Sequence, residues 1–173
     1  LIPLKCSDYV ILVPIFNDAN FLKNISWLNQ YDGRVLLCTT NQESEKFYDD
    51  LRDLNKKYNV KIAKIEVDKS NINVWGIYKK ALYMLISHDK IIKEVLKDVN
   101  AKYVVLLDAD TISNADLDIL IGNVKSKNYD LCSVEILPSK LSTFMENLQY
   151  IEYKLAMKSR KHYNFLTSGA CMV

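Results

Sequence analysis

Apolar and polar positions form blocks along the chain, and the blocks alternate between two periods. Short, nearly continuous apolar runs such as Tyr9–Val13 and Tyr103–Leu107 are typical of strands that are buried on both faces of a sheet. Longer segments repeat apolar residues every three or four positions, which predicts amphipathic helices. Phe47, Leu51 and Leu54 form one such set.

The order of these blocks predicts six strands separated by five helices. We place the strands at Tyr9–Val13, Arg34–Cys38, Val60–Val67, Tyr103–Leu107, Tyr129–Leu137 and Phe165–Val173. We place the helices at about 18–30, 42–58, 74–99 (in two pieces), 113–124 and 141–158. Alternating strands and helices imply right-handed crossovers. The expected fold class is therefore α/β, a single Rossmann-like domain over residues 1–173 with a mostly parallel central sheet flanked by helices.

Capping residues mark where two of these helices begin. Asn17 or Asp18 is suited to cap the first helix, because short polar side chains accept hydrogen bonds from the free N–H groups of a first turn. Ser113 and Asp116 have the spacing of a capping box at the start of the helix that follows Tyr103–Leu107.

Composition excludes several classes of protein. The net charge is only +2 and the two signs are interspersed, so no nucleic-acid partner is expected. No apolar run has the length that a membrane-spanning helix needs. The four cysteines are scattered, which predicts neither a zinc site nor a disulfide framework. Cys38 and Cys132 lie in apolar runs and are expected to be small core residues.

Two carboxylates separated by one residue follow the strand Tyr103–Leu107. Ligands of open α/β sheets bind outside the carboxyl ends of the strands, which is where Asp108 and Asp110 fall. Two carboxylates there suit a divalent cation that carries phosphates. The alternative is that one Asp forms a turn and the other caps the next helix.

Polar loops follow three other predicted strands, at Pro14–Asp18, 39–42 and Asp68–Asn73. The sequence contains neither Gly-x-Gly-x-x-Gly nor Gly-x-x-x-x-Gly-Lys, so it has no Gly-rich phosphate loop. A metal ion at the Asp pair is therefore the better candidate for neutralising a diphosphate.

Three segments resemble a known family. Val13–Asp18 (Val-Pro-Ile-Phe-Asn-Asp) resembles the opening "VP-x-[YF]-N-[ED]" of family 2 glycosyltransferases with the GT-A fold, and Asp108–Thr111 resembles their DxD motif. Glu146–Tyr153, followed by Leu166–Ala170, resembles the long helix and the "SGA" segment of the hyaluronan, chitin and cellulose synthase branch.

The resemblance implies an inverting glycosyltransferase that takes a nucleotide-diphospho-sugar, with a UDP-sugar favoured, and a saccharide or lipid acceptor. Asp110, together with Asp108, would hold Mg²⁺ or Mn²⁺. Ser168 and Gly169 would line the acceptor side. The residues implied in nucleotide-sugar binding are Pro14, Phe16, Asn17, Asp18, Thr40, Asn41, Asp68, Asn73, Asp108 and Ala109.

The resemblance also implies that parts of the family pattern lie past Val173. These parts are the catalytic base and the membrane helices, so we expect a C-terminally incomplete domain with little transfer activity of its own. Its parent protein would lie on the cytoplasmic side of a membrane and contact that membrane only through the missing parts.

Two departures from the family pattern leave other functions open. Residues 39–41 read Thr-Thr-Asn where an Asp pair is usual, and Asn73-Val74 replaces a Gly-Lys segment. The main alternative is a degenerate, non-catalytic GT-A or other doubly wound module that binds a protein partner. A sugar nucleotidyltransferase is disfavoured because the Gly-rich start is missing.

Overall fold

A computed structural model of the chain describes residues 8–22, 24–31, 33–58, 60–67, 89–97, 99–130, 132–134, 137–138, 140–160 and 171–172. The strands are β1 (Tyr9–Pro14), β2 (Val35–Thr40), β3 (Lys61–Ile65), β4 (Tyr103–Leu106), β5 (Cys132–Ser133) and β6 (Cys171–Met172). The α-helices are α1 (Ile25–Leu28), α2 (Glu45–Tyr58), α3 (residues 89–97), α4 (Leu117–Ser126) and α5 (Phe144–Arg160).

The strands form one sheet in the order β3-β2-β1-β4-β6-β5. β1 pairs in parallel with β2 on one side and with β4 on the other, where Tyr9 lies opposite Tyr103. β2 and β3 are also parallel. β6 runs antiparallel to both of its neighbours. This arrangement confirms the predicted α/β class with a mostly parallel sheet.

Each face of the sheet has its own core because successive residues of a strand point to opposite faces. Ile11 and Val13 pack on one face with α2 and α4, whereas Val10 and Leu12 pack on the other face with α3. All residues of β1 are buried. The continuous apolar run that predicted β1 therefore reflects a central strand covered on both sides.

The first predicted helix is not continuous. The chain instead forms a 3₁₀ turn at Ala19–Phe21, then the single turn of α1, then a second 3₁₀ turn at Asn29–Tyr31. Leu22 interrupts the helix with a ψ of 73°. The spacing of Phe21, Ile25 and Leu28 predicted one apolar helix face. Ile25 and Leu28 are buried as this spacing predicts, but Phe21 is 57% exposed, and the spacing did not reveal the interruption.

The predicted capping box before α4 is also wrong. Asp116 is itself the N-cap, and its carboxylate accepts from the Asp118 N–H at 2.8 Å. The Ser113 hydroxyl accepts from Ala115 N–H instead. A reciprocal box does occur at α5, where Thr143 Oγ1 accepts from Glu146 N–H and the Glu146 carboxylate accepts from Thr143 N–H.

The strands near the C-terminus are short or antiparallel in the described part of the chain. Among the described residues of Tyr129–Leu137, only Cys132–Ser133 form a strand. The strand predicted at Phe165–Val173 is present at Cys171–Met172, but it is antiparallel. α5 carries a row of exposed apolar side chains, among them Phe144 at 77% exposure and Leu155 at 61%.

Cys38 is fully buried beneath the sheet, as expected, and its burial raises the pKa of the thiol to about 12. Cys132 is partly buried. No helix in the described part of the chain is both long enough and apolar enough to span a bilayer. The predicted helix at 74–86 lies outside the described residues.

Candidate functional site

A cleft lies at the carboxyl ends of β1 and β4, which are adjacent in the middle of the sheet. After β1 the chain moves outward to β2 and β3, and it then crosses back to β4 on the other side of β1. In open α/β sheets this reversal of direction is where ligands bind. The cleft has a volume of about 200 Å³ and is lined by Pro14, Ile15, Phe16, Asn17, Phe21, Ala109 and Asp110.

The cleft brings together five residues that the sequence assigned to nucleotide-sugar or metal binding. They come from two segments about 90 residues apart, and they are Pro14, Phe16, Asn17, Ala109 and Asp110. Small-molecule sites usually enclose about 300–1,000 Å³. The described lining therefore accommodates part of a nucleotide-sugar rather than all of it.

The loop after β1 has an unusual backbone at Asn17. This residue has a φ of 65°, and the N–H of Asp18 donates to the carbonyl of Phe16 at 2.8 Å. Together these define a γ-turn with positive φ, the rarer and more strained kind. The Asn17 N–H donates to the Glu43 carboxylate at 2.9 Å, which ties this loop to the chain after β2. Strained backbone of this kind concentrates at binding sites.

Asp18 acts as a cap, which was one of its two predicted roles. Its carboxylate accepts from the backbone N–H and the side-chain amide of Asn20, both at 2.9 Å. The 3₁₀ turn that it caps ends at Phe21, whose ring lines the cleft while 57% exposed. The sequence analysis treated Phe21 only as a helix-face residue. An exposed aromatic ring beside a cleft is suited to stack on a flat ligand.

The loop after β4 presents both carboxylates of the Asp pair to solvent. Asp108 and Asp110 are exposed, and within the described part of the chain neither carboxylate has a hydrogen-bond or ion-pair partner. The N–H of Thr111 donates to the carbonyl of Asp108 at 3.1 Å and closes a turn between them. The pair leaves the sheet where it was predicted, and its oxygens are available to a ligand.

The described segments around the cleft carry mostly negative charge. Residues 14–22, 41–44 and 107–111 contain four acidic side chains, Asp18, Glu43, Asp108 and Asp110, and no Lys or Arg. A diphosphate would be repelled here unless a cation came with it. The described residues include no group of three or more His, Cys, Asp or Glu side chains that could hold a metal by themselves. Mg²⁺ commonly binds through one or two carboxylates plus substrate phosphates, which fits an Asp pair.

Asn24 holds the Asp loop in place, and the sequence analysis did not single it out. Its side-chain amide is fully buried and donates to the carbonyl of Asp108 at 3.1 Å and to that of Thr111 at 2.7 Å. Asn24 lies three residues after Phe21 and four before Leu28, so it falls on the apolar face of the predicted helix. A polar residue on such a face was the signal that could have identified it.

Thr40 and Asn41 lie at the carboxyl end of β2 and do not line the described cleft. Thr40 is fully buried and its hydroxyl donates to the Glu43 carboxylate at 3.1 Å. The side-chain oxygen of Asn41 accepts from Val67 N–H at 2.9 Å and so holds the chain just after β3. Their proposed contact with a nucleobase stays a prediction.

Four other predicted site residues lie outside the described residues. They are Asp68 and Asn73, assigned to nucleotide-sugar binding, and Ser168 and Gly169, assigned to the acceptor side.

Compared with known proteins, the chain matches no protein-family model and no curated protein.

Proposed function

We propose that the chain binds a nucleotide-diphospho-sugar as the donor part of a family 2 glycosyltransferase domain with the GT-A fold. One observation carries the proposal. Two short motifs far apart in the sequence, the Val13–Asp18 segment and the Asp108–Thr111 segment, meet at the strand reversal where open α/β sheets bind ligands.

Each part of the cleft has a role in this proposal. Pro14, Phe16 and Phe21 frame the nucleoside with apolar surface, and Phe21 stacks on its ring. Asp110 and Asp108 hold Mg²⁺ or Mn²⁺ at the phosphates. When bound, that ion neutralises the charge that develops on the departing diphosphate. The backbone turn between Asp108 and Thr111 fixes how the two carboxylates are directed.

The remaining steps of a transfer reaction are assigned to residues beyond the described cleft. Ser168 and Gly169 are proposed to line the side where a saccharide or lipid acceptor enters. A UDP-sugar remains the favoured donor.

The test is a calorimetric titration of UDP and UDP-sugars, in Mn²⁺ and in EDTA, into the wild type and Asp110→Ala. We expect UDP to bind much more tightly in Mn²⁺ than in EDTA. Loss of even an outer-shell partner lowers metal affinity by about 10–100-fold, so loss of a direct carboxylate ligand should weaken binding by at least about 100-fold.

The matched control is Asp53→Ala, which removes an exposed carboxylate of α2 that pairs only with Lys56 at 3.2 Å among the described residues. This variant should bind UDP as the wild type does. Binding that is equal in EDTA, or equal in Asp110→Ala, would overturn the proposed role of the metal site.

A non-catalytic module that binds a protein partner is the second candidate. The exposed apolar side chains of α5, including Phe144, Ile151 and Leu155, are the observation that favours it. Metal-dependent UDP binding at the cleft would count against this candidate.

A further inference from the structure

The side-chain amide of Asn24 is the part of the molecule that holds the Asp-x-Asp turn from beneath. It donates to two carbonyl groups, Asp108 at 3.1 Å and Thr111 at 2.7 Å, which flank Asp110 in the sequence. The N–H of Thr111 also donates to the carbonyl of Asp108 at 3.1 Å. One amide group therefore spans the turn that carries the metal-binding carboxylate.

The orientation of this amide is fixed by its partners. Rotating the group by half a turn would place Oδ1 against two carbonyl oxygens, and none of these three atoms can donate a hydrogen bond. The NH₂ group must therefore face the turn. Oδ1 then points away from it, and among the described residues this buried atom has no hydrogen-bond partner.

An unpartnered buried oxygen opposes folding, because it has lost its hydrogen bonds to water. Asn24 thus combines two favourable contacts with one unfavourable burial. Its net contribution to stability is smaller than two hydrogen bonds would suggest. The presence of Asn at this position is therefore better explained by the position of the turn than by the stability of the fold.

We propose that Asn24 is a positioning residue that sets the direction of the Asp110 carboxylate toward the metal ion of the nucleotide complex. This inference rests on the proposed function. It differs from the proposed roles of the cleft residues because Asn24 does not line the cleft and acts only through the backbone of residues 108–111.

The test compares Asn24→Leu and Asn24→Ala with the wild type. Leu keeps the branched shape of Asn, although it is larger, and it removes both donors along with the unpartnered oxygen. Ala serves as a second variant without any risk of overpacking. Calorimetric titration with UDP, in Mn²⁺ and in EDTA, gives the gain in affinity that Mn²⁺ supplies. A positioning role predicts that this gain falls by about tenfold, which corresponds to the loss of one to two net hydrogen bonds.

Affinity in EDTA should stay unchanged in both variants, because the β1 loop is left intact. A merely structural role would lower both affinities together, in proportion to the loss of stability. Equal loss in Mn²⁺ and in EDTA would therefore overturn the proposal, and so would an unchanged gain from Mn²⁺.

Thr39→Val is the matched control. Thr39 is the other described side chain with a buried, unpartnered polar atom, Oγ1, and it is fully buried like Asn24. Replacing it with Val removes that atom without touching the Asp turn. The gain from Mn²⁺ should be the same as in the wild type.

Amide hydrogen exchange at Thr111, measured without metal or nucleotide, separates this inference from the proposed function. The Thr111 N–H closes the turn, so loss of the Asn24 contacts should speed its exchange by about tenfold. If the wild type shows no metal-dependent UDP binding, the proposed function fails. Thr111 exchange then still tests whether the Asn24 side chain holds the turn at residues 108–111. Unchanged exchange in the Asn24 variants would overturn that role of Asn24.

Discussion

The amino ends and the carboxyl ends of the parallel strands arrange charged residues in opposite ways. These two sides of the sheet are called the amino edge and the carboxyl edge below. At the amino edge, Arg34 precedes β2 and Tyr9 begins β1, while Asp118 reaches them from the first turn of α4. Arg34 donates to Asp118 at 2.5 Å and to the Tyr9 hydroxyl at 2.7 Å, and that hydroxyl donates to Asp118 at 2.8 Å. The Arg34 guanidinium also lies 4.7 Å from the centre of the Tyr9 ring.

At the carboxyl edge, acidic groups face solvent without cationic partners in the described part of the chain. Asp108 and Asp110 are exposed and Asn17 holds a positive φ, while the buried oxygen of Asn24 has no partner among the described residues. The backbone angle and the unpartnered oxygen each reduce stability instead of adding to it. The amino edge therefore stabilises the packing of the sheet and its helices. At the carboxyl edge, by contrast, polar groups remain able to hydrogen-bond a ligand.

Breaking the amino edge should have the largest effect on stability. Arg34→Met removes hydrogen bonds to a charged group, and such bonds contribute about 1.5–3 kcal/mol. Because the Asp118 side chain is 53% exposed, hydration of its carboxylate offsets part of that loss. We expect the free energy of unfolding to fall by about 2 kcal/mol and Tm by about 4–8 °C. Thermal and urea denaturation measure both.

Arg52→Met is the control for this prediction, because Arg52 forms an exposed ion pair with Asp49 on α2. Its stability should change by less than about 0.5 kcal/mol. Equal losses in the two variants would show that the amino edge has no special role. UDP affinity at 25 °C should stay the same in both.

The carboxyl edge should show the reverse pattern, with loss of binding and little loss of stability. In Phe21→Ala we expect UDP affinity to fall by about fivefold, or about 1 kcal/mol, the lower end of the range for a base stacked on an aromatic ring. Stability should change by less than about 0.5 kcal/mol because the ring is 57% exposed.

Phe144→Ala removes a ring that is 77% exposed on α5 and should leave UDP affinity unchanged. Titration calorimetry in Mn²⁺ measures both variants. An unaltered affinity in Phe21→Ala would remove the stacking role from the proposal.

Backbone strain gives a smaller effect that sharpens the comparison. Asn17 and Asn128 have positive φ values of 65° and 52°. Asn128, however, lies just past α4 and its C-cap Lys127, where Tyr129 N–H donates to Val124 C=O and Asn128 N–H donates to Lys125 C=O. Glycine adopts such angles freely. Asn17→Gly and Asn128→Gly should each raise the free energy of unfolding by about 0.5 kcal/mol.

Only Asn17→Gly should weaken UDP binding, because Asn17 lines the cleft and Asn128 does not. Urea denaturation and UDP titration of both variants check this. A destabilised Asn17→Gly would mean that the Asn17 side chain contributes to folding, contrary to the contrast drawn between the two edges.

The smallest expected effect is on the pH dependence of stability. The hydrogen bond from Arg34 lowers the pKa of Asp118 below its ordinary value of 3.8, outweighing the opposing effect of burial. A carboxylate with a lowered folded-state pKa adds stability that is present above its ordinary pKa and is lost as pH falls through the folded-state value. Stability measured from pH 6 to pH 2 should therefore fall less steeply in Asp118→Asn.

Arg34→Met should also make the loss of stability at acid pH less steep, because Asp118 then lacks the Arg34 hydrogen bond that lowers its pKa. A slope identical to that of the wild type in both variants would contradict the assigned cause. At alkaline pH the buried Tyr9 acts in the other direction. Burial, and then the bond to Asp118, raise the pKa of its hydroxyl. Its contribution to stability is therefore fully present below the ordinary pKa of 10.0 and is lost progressively as pH rises from there toward the raised folded-state pKa.

The sequence predicted the features that depend on neighbouring residues. The continuous apolar runs placed β1 and β4 within one residue of their observed ends, and the Asp pair follows β4 as expected. These succeeded because a strand buried on both faces leaves a local pattern that few other structures share.

Features that depend on distant contacts were missed. Asn24 meets Asp108 across 84 residues, and Glu43 meets Asn17 across 26. The antiparallel direction of β6 depends on its neighbours in space, β4 and β5, rather than on its own residues. Neither periodicity nor capping signals carry this information, because both describe only the nearest turn of chain.

The central position of β1 has a consequence for biosynthesis. Its partner β4 follows far later in the chain, since Tyr9 pairs with Tyr103. Ribosomes add about 5–20 residues per second, so the side of β1 that pairs with β4 stays without its partner strand for about 5–20 s. During that interval a very apolar strand has an open hydrogen-bonding edge, which favours pairing with other nascent chains. Chaperone capture of β1 during translation would protect the protein over this period.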